Sequence, residues 1–330
     1  MSGATHYQPP RWLRNPHLQS VLSTSGLRCR RGLRALVASG AINQECILDG
    51  GNGVRLLGWH SHVSGRRPRA MALLLHGWEG STESSYMRMT AAQLLRYDFE
   101  VFRLNFRDHG DTHHLNPELF HSGRLQEVIN AAGDLCKRFE VERLVVAGFS
   151  LGGNFALRLA LHATEAGLPL KRVAAVCPLI NPITTMDSIE QERLYDWYFR
   201  NKWRESLMRK RELFPQQNRF GDETLSQDIR GMMDSIARYT GYKSLEDYFD
   251  SYSIAGDRLA RLDIPANILM AHDDPVIPVS DFEDWTLPPH AQLEIAQWGG
   301  HCGFIVNALG DGFSERWVAQ KLKKVLRTDS

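Results

Sequence analysis

The stretch Gly148-Phe149-Ser150-Leu151-Gly152 decides the fold, because it joins a predicted strand to a predicted helix. The apolar run before it, Arg143 to Ala147, predicts a buried strand, and Gly153 to Leu157 predicts the start of a helix. A serine in so tight a turn has strained backbone angles and projects from the top of the sheet, where a helix dipole favours developing negative charge. An ordinary glycine-rich turn is the alternative, but the strand before and the helix after favour a nucleophile at Ser150.

Short apolar runs alternate with segments of helical length along most of the chain. Runs that are apolar throughout predict parallel strands that are buried on both faces. The predicted strands are Gln44 to Leu48, Val54 to Trp59, Ala70 to Leu75, Glu100 to Asn105, Arg143 to Ala147, Arg172 to Cys177, Ala266 to Ala271 and Gln292 to Ala296. The first two flank Gly50-Gly51-Asn52-Gly53 and predict an antiparallel hairpin. A hairpin that leads into a mainly parallel sheet is the order of the α/β-hydrolase fold, and this is the α/β class that we predict.

One region, from about residue 183 to about residue 255, breaks this alternation and has the spacing of two or three amphipathic helices. We predict a helical cap at 183–255, inserted between the sixth and seventh predicted strands of a single domain that spans residues 1–330. Such a cap would cover the carboxyl edge of the sheet, where ligands bind in α/β proteins. Its aromatic residues would either line a pocket for an apolar acyl or alkyl group or form the cap's own core. They are Tyr195, Trp197, Tyr198, Phe199, Trp203, Tyr239, Tyr242, Tyr248, Phe249 and Tyr252.

A serine nucleophile needs a base, which we expect on a loop after the last strand. Trp298-Gly299-Gly300-His301-Cys302-Gly303-Phe304 is such a loop, directly after the last predicted strand. Glycines on both sides of His301 allow its imidazole to approach Ser150. A structural loop histidine is the alternative, but no other histidine occupies this position in the sequence.

The acid that orients the histidine should follow the seventh predicted strand, where Asp273 and Asp274 are both candidates. In hydrolases of this kind the acid commonly precedes a proline by four residues, which favours Asp274 with Pro278. Its role would be to fix the histidine tautomer and to stabilise the imidazolium. Asp273 stays open as the alternative, with the capping of a turn as its other expected role.

A tetrahedral intermediate also needs an oxyanion hole. One expected donor is the backbone N–H of Leu151, directly after the nucleophile, and the other lies in the loop after the third predicted strand. That loop is Leu75-His76-Gly77-Trp78-Glu79-Gly80, and we predict the backbone N–H of Trp78 as the second donor. His76 is expected to shape the loop rather than to react.

The segment Arg107-Asp108-His109-Gly110-Asp111-Thr112-His113-His114 concentrates histidine and aspartate, the side chains from which metal sites are built. It follows the fourth predicted strand, where this fold has a polar loop, and no second cluster completes a coordination sphere. We therefore predict that this loop shapes the site or contacts substrate, with neither a metal nor another cofactor.

The composition limits the classes of partner. A formal net charge of +1 provides no field that attracts nucleic acid, and we expect the basic clusters at 28–34 and 66–69 to be solvated surface. Five cysteines without a CxxC pair argue against a disulfide framework. Without an apolar signal segment or a run of about 18 apolar residues, we expect a cytoplasmic protein with no membrane span. The sequence predicts neither the oligomeric state nor a role for residues 1–41.

Four segments together resemble the YheT-like group of bacterial α/β-hydrolases, which is related to predicted hydrolases of plants and animals. The resemblance extends over most of the chain and is weakest in the cap. The segments are Pro9-Pro10-Arg11-Trp12-Leu13-Arg14-Asn15-Pro16-His17-Leu18-Gln19-Ser20, His76-Gly77-Trp78-Glu79-Gly80-Ser81 with Tyr86, Gly148-Phe149-Ser150-Leu151-Gly152-Gly153-Asn154, and Gly299-Gly300-His301-Cys302-Gly303-Phe304.

The resemblance implies a catalytic triad of Ser150, Asp274 and His301, in agreement with the assignment from the residues. It also implies hydrolysis of carboxylic esters, with relatives that act on acylglycerols, short esters or phospholipids. The polar loop that begins Arg107-Asp108-His109-Gly110 departs from the wider fold and affects the substrate that can be inferred. Two alternatives remain: a thioesterase or lipase/phospholipase-like acyl hydrolase, since the triad chemistry is shared, and a non-catalytic binding protein.

Overall fold

The computed structural model describes residues 3–327, and its centre is a nine-stranded sheet. The strands are β1 Gly3–Ala4, β2 Ala41–Gly51, β3 Val54–Val63, β4 Ala70–Leu75, β5 Phe99–Leu104, β6 Leu144–Phe149, β7 Leu170–Val176, β8 Ala266–Ala271 and β9 Ala291–Ala296. Their order across the sheet is β1-β9-β8-β7-β6-β4-β5-β3-β2. The two pairings that β3 makes, with β2 and with β5, are antiparallel, and all other pairs are parallel. This arrangement confirms the predicted α/β-hydrolase fold.

Helices cover both faces of the sheet, and the strands at its centre are apolar at nearly every position, with Asn267 on β8 as a polar exception. Every residue of β4, β6 and β8 is buried, as expected of strands packed on two sides. The helices are α1 Pro16–Ser23, α2 Gly26–Ala38, α3 Ser85–Leu95, α4 Leu125–Arg138, α5 Leu151–His162, α6 Pro182–Gln191, α7 Arg193–Leu213, α8 Asp222–Leu225, α9 Ile229–Tyr239, α10 Leu245–Asp250 and α11 Phe313–Leu322.

The first hairpin is longer than its apolar run predicts. Its strands include Gly50 and Gly51, which the sequence assigned to the turn, and only Asn52 and Gly53 connect them. Both connecting residues have positive φ, 52° and 80°. A two-residue turn with this geometry matches the twist of the flanking strands, so pairing continues up to it.

Helices α6 to α10 lie between β7 and β8 in the chain. The aromatic residues of this region divide between two environments: Trp203, Tyr248 and Phe249 are buried, whereas Trp197 is 59% exposed. A buried ion pair attaches the region to the core, since Lys210 Nζ on α7 lies 2.5 Å from Asp108 Oδ1 in the loop after β5. Each of these two side chains is at most 5% exposed.

The first two helices pack against the core instead of extending into solvent. Arg28 on α2 is 1% exposed and forms a buried ion pair with Glu315 on α11. The expectation that cluster 28–34 is solvated surface is therefore wrong at Arg28, although it holds at residues 66–69, which are exposed. The physical reason is the partner, because a guanidinium can be buried when a carboxylate is buried with it. None of the helices in residues 3–327 has the length and apolar character needed to cross a membrane.

Candidate active site

Ser150 occupies a strained turn between β6 and α5. Its φ is 54° and its ψ is −122°, a region that residues with a side chain rarely adopt. Two neighbouring glycines make the turn possible, because a Cβ on Gly148 would lie 2.0 Å from Gly152 O and a Cβ on Gly152 would lie 2.3 Å from Leu75 O. The backbone of the loop after β4 can therefore pass directly beside the serine.

Three side chains form a continuous hydrogen-bonded line. His301 Nε2 lies 2.9 Å from Ser150 Oγ, and His301 Nδ1 lies 2.9 Å from Asp274 Oδ2 and 3.1 Å from Oδ1. The three residues come from the loops after β6, β8 and β9, which meet at the carboxyl edge of the sheet. The structure therefore brings together the serine, histidine and acid that the sequence singled out.

The two aspartates after β8 have different partners. The Asp274 side chain is fully buried, and its Oδ1 accepts hydrogen bonds from the backbone N–H groups of Val276 and Ile277 at 2.8 and 3.0 Å. Asp273 Oδ1 instead accepts a hydrogen bond from the backbone N–H of Gly300 at 2.9 Å. Asp274 is thus the carboxylate that contacts the imidazole, while Asp273 holds the backbone of the histidine loop.

The charge balance at His301 favours the protonated ring. Burial on its own would lower the pKa of His301, but the Asp274 carboxylate and the Cys302 sulfur outweigh burial and raise this pKa to about 9. Stabilisation of the imidazolium is what a base needs while it holds a proton from the nucleophile. The same effect leaves only a fraction of His301 neutral at pH 7.

The predicted oxyanion donors flank the serine. Gly77, directly before Trp78, is so close that a Cβ on it would lie 3.2 Å from Ser150 Cβ. The backbone N–H groups of Trp78 and Leu151 donate no hydrogen bond to another group in the part of the chain that the structure describes. Both amides therefore lack an acceptor there, and their role as oxyanion donors stays a prediction.

His76 shapes the loop that carries Trp78. Its Nδ1 donates to Gly77 O at 2.7 Å, and its Nε2 accepts from the Phe106 backbone N–H at 3.2 Å. Burial and the neighbouring His109 hold the pKa of His76 well below its usual value, so the ring is neutral. The Tyr86 hydroxyl accepts from the Gly77 backbone N–H at 3.1 Å and supports the loop from the other side.

The N-terminal helix α1 holds the histidine loop, a contribution that the sequence did not predict. The His301 backbone N–H donates to Ser20 Oγ at 2.8 Å, and the Ile305 backbone N–H donates to Gln19 Oε1 at 2.8 Å. Gln19 is fully buried, and its Nε2 donates to Tyr7 Oη and Leu13 O. These contacts join residues that are 281 and 286 positions apart, so no local pattern could predict them. The only signal in the sequence was the family resemblance of the segment from Pro9 to Ser20.

A cavity of about 380 Å³ opens onto Ser150 and His301. Helices α1 and α2, the loop after β4 and helix α7, one of the helices between β7 and β8, all contribute to its walls. Most of the lining is apolar, and its polar exceptions include Glu79. The lining side chains from outside the triad include Val21, Cys29, Trp78, Glu79, Leu194, Tyr195, Trp197, Tyr198 and Phe199.

The polar loop at 107–114 contacts helix α7 and also packs His109 against His76, while its role in shaping the site or contacting substrate stays a prediction. Arg107 is paired with Glu127 and Glu118, Asp108 with Lys210, and His113 Nε2 lies 2.8 Å from Ser206 Oγ.

The potential metal ligands within residues 3–327 include one trio, Cys177, His301 and Cys302, whose ligand atoms lie within 4.8 Å of one another. Both ring nitrogens of His301 are already engaged by Ser150 and Asp274. The arrangement therefore fits a catalytic triad better than a metal centre, and the absence of a metal stays a prediction.

Comparison with known proteins agrees with this geometry. The sequence profile described as "alpha/beta hydrolase fold" matches residues 73–308. YheT from Escherichia coli (strain K12) is 27% identical over 339 residues, covering 99% of this chain and 94% of YheT. The monoacylglycerol lipase of Saccharomyces cerevisiae is 24% identical over 277 residues, covering 78% of this chain and 59% of the lipase.

Solved structures share the fold at low sequence identity. An esterase from Pyrococcus furiosus aligns with a TM-score of 0.59 and 15% identity, covering 88% of this chain and 92% of the esterase. An esterase from Pyrobaculum calidifontis aligns with a TM-score of 0.58 and 16% identity, covering 94% of this chain and 99% of the esterase. The profile match and the alignment with YheT along almost the whole chain establish that the protein belongs to the alpha/beta hydrolase fold family, as a YheT-like member.

Proposed function

We propose that this protein is a serine hydrolase that cleaves carboxylic esters through an acyl-enzyme on Ser150. The observation that carries the proposal is the line from Ser150 Oγ through both ring nitrogens of His301 to Asp274, with distances of 2.9 to 3.1 Å. A hydroxyl becomes a useful nucleophile only when a base accepts its proton, and this line provides the base and the group that orients it.

The reaction would proceed in two halves. Ser150 Oγ attacks the ester carbonyl carbon while its proton passes to His301 Nε2, and the resulting oxyanion accepts hydrogen bonds from the Trp78 and Leu151 amides. Collapse of this intermediate breaks the bond to the leaving alcohol, which takes the proton from His301. Water then attacks the acyl-enzyme by the same route and releases the carboxylic acid. Each oxyanion donor contributes about 3 kcal/mol to such transition states.

The surroundings of the triad support an ester with an apolar acyl or alkyl group. The cavity beside Ser150 is lined mainly by apolar and aromatic side chains from α1, α7 and the loop after β4. Because α7 belongs to the inserted helices, we propose that the cap and the core act as one α/β-hydrolase domain. Among the relatives, the yeast protein is named a monoacylglycerol lipase, which is compatible with this substrate class.

The test is covalent labelling by a fluorophosphonate, measured by intact mass. We expect one adduct on the wild type and none on Ser150→Ala, while Ser84→Ala, which changes another serine of the same cavity, keeps the adduct. A folded wild type that takes up no adduct would contradict the proposal and favour a binding protein. A panel of acyl esters, thioesters and lysophospholipids with matched acyl chains then ranks the reaction classes, with esters expected first.

A further inference from the structure

Glu79 is an acidic residue in the wall of the cavity that the proposed reaction does not use. It follows Trp78 directly in the loop after β4, and it lines the same cavity as Ser150 and His301. Its φ of 55° is a left-handed value that residues with a side chain seldom adopt. The local backbone therefore places an acidic residue one position beyond a predicted oxyanion donor.

The carboxyl of Glu79 has no partner within residues 3–327: it forms neither a hydrogen bond nor an ion pair there. The acidic residues around the same loop differ, since Glu83 pairs with Arg88 and Arg103, and Asp108 pairs with Lys210. Glu79 is half-buried in a mainly apolar wall, so a ligand that displaces water from its carboxyl must supply a hydrogen bond in return. The position of Glu79 is thus that of a recognition group.

The groups that face Glu79 limit what that ligand can be. Burial raises the pKa of Glu79 to about 8, while Lys202 on α7 opposes this shift and Asp108 and Glu205 add to it. The hydroxyl of Tyr198 also lies within its electrostatic reach. Because a carboxyl with this raised pKa is largely uncharged at pH 7, a neutral donor fits it better than a cation. A hydroxyl group can donate to the carboxyl in either protonation state.

We propose that Glu79 binds a hydroxyl group located a few bonds from the scissile ester, so that hydroxylated esters are the preferred substrates. The inference rests on the proposed function and deepens it by naming a substrate class. The inferred proximity rests on the shared cavity, since Glu79, Trp78 and Ser150 all line it and Trp78 is the proposed holder of the carbonyl oxygen. Two kinds of ester offer such a hydroxyl: partial esters of a polyol, on the alcohol side, and esters of hydroxy acids, on the acyl side.

The experiment compares kcat/KM within pairs of esters that differ by hydroxyl groups alone. One arm uses glyceryl monobutyrate against propyl butyrate, and the other uses methyl 3-hydroxybutyrate against methyl butyrate. At pH 7, where the carboxyl is largely neutral, we expect a preference for the hydroxylated ester of about 2- to 10-fold in at least one arm, and above pH 8, where the carboxyl is charged, of about 10- to 100-fold. The arm that carries the preference identifies the side of the substrate that Glu79 contacts.

Variants of Glu79 then assign the preference. Glu79→Met removes the acceptor at similar size and should reduce the ratio within the pair to about 1, because an apolar side chain no longer favours the hydroxyl. Glu79→Gln keeps an acceptor oxygen and should retain part of the ratio. Leu194→Ala, which alters an apolar part of the same wall, should change both esters of a pair by a similar factor and leave the ratio as in the wild type.

The outcomes separate this inference from the proposed function. Fluorophosphonate labelling of Ser150 in Glu79→Met reports that the triad is assembled, so a ratio that stays at the wild-type value in the labelled variant overturns the role of Glu79. Wild-type ratios near 1 in both arms overturn it as well, while ester hydrolysis itself stands. If Glu79→Met fails to fold, Glu79→Gln decides. Non-hydrolysable propyl and glyceryl ethers then compete with the fluorophosphonate for the wild-type site. An undiminished ratio in Glu79→Gln, together with equal protection by the two ethers, also overturns the inference.

Discussion

At the scale of single residues, the environment of His301 determines the pH dependence of the site. The ring must be neutral to accept the proton of Ser150, and it is protonated below its pKa, which Asp274 and Cys302 raise to about 9 against the effect of burial. Activity is therefore low below this pKa and rises as the pH rises through it. We expect kcat/KM for an uncharged ester to increase from pH 6 upward, with its half-maximal value near pH 9.

A variant of Cys302 tests which groups raise the pKa of His301 and so set the rise of kcat/KM with pH. Its sulfur is buried beside the ring and contributes to the raised pKa of His301, so Cys302→Ala should move the half-maximal value to lower pH. Cys29→Ala, at another cysteine of the cavity, is the matched control and should leave the pH of half-maximal kcat/KM unchanged. A Cys302→Ala profile that overlays the wild-type profile would mean that Asp274 alone sets the pKa of His301.

At the scale of elements, helix α1 positions the loop that carries the base. Ser20 Oγ accepts a hydrogen bond from the His301 backbone N–H, and Ser20→Ala leaves that half-buried N–H without a protein partner. The loss of such a bond costs about 1–3 kcal/mol. Because the contact orients the loop that carries the base, we expect kcat to fall by about 10-fold or more, with a smaller change in KM because Ser20 also lines the cavity.

The measurement is steady-state hydrolysis by Ser20→Ala, beside thermal unfolding and fluorophosphonate labelling. Ser23→Ala is the matched control on the same helix, since Ser23 contacts Ser20 O and Ser85 rather than the histidine loop. Equal losses in both variants would show that α1 acts only through general stability. A loss of kcat confined to Ser20→Ala supports a positioning role.

The sequence predicted the parts of the site whose signals are local. The turn around Ser150, the glycines around His301 and the apolar strands β4, β6 and β8 depend on neighbours a few positions away, and pattern analysis detects such neighbours. The contribution of α1 depends on a partner 281 residues distant, and the burial of Arg28 depends on Glu315. Neither pairing leaves a periodicity or a spacing that a single sequence reveals.

At the scale of the whole molecule, the candidate site is assembled from both ends of the chain and from its middle. Helix α1 near the N-terminus, α7 between β7 and β8, and the loop after β9 all contribute walls to one cavity. Interactions that join these distant segments therefore matter to function as well as to stability. The buried pair of Arg28 on α2 and Glu315 on α11 is one of them, since it attaches the N-terminal helices to the last helix of the fold.

Breaking this pair on one side should destabilise the whole fold. Arg28→Met leaves the Glu315 carboxylate, which is 1% exposed, without its guanidinium partner. Uncompensated burial of one member of such a pair costs about 3–5 kcal/mol. We expect the free energy of unfolding in urea to fall by that amount, with a loss of fluorophosphonate labelling at urea concentrations that the wild type tolerates, because α1 and α2 lose their attachment.

The double variant Arg28→Met/Glu315→Leu distinguishes a lost charge partner from lost packing. Removing both charges leaves no buried ion to solvate, so the double variant should be more stable than Arg28→Met alone. Arg30→Met is the matched control, since Arg30 is exposed on the same helix and its loss should change the free energy of unfolding by less than about 0.5 kcal/mol. If the double variant is as unstable as the single one, the Arg28 side chain contributes by its packing and by its hydrogen bond to Gly310 O, and the ion pair itself adds nothing to the attachment of the N-terminal helices.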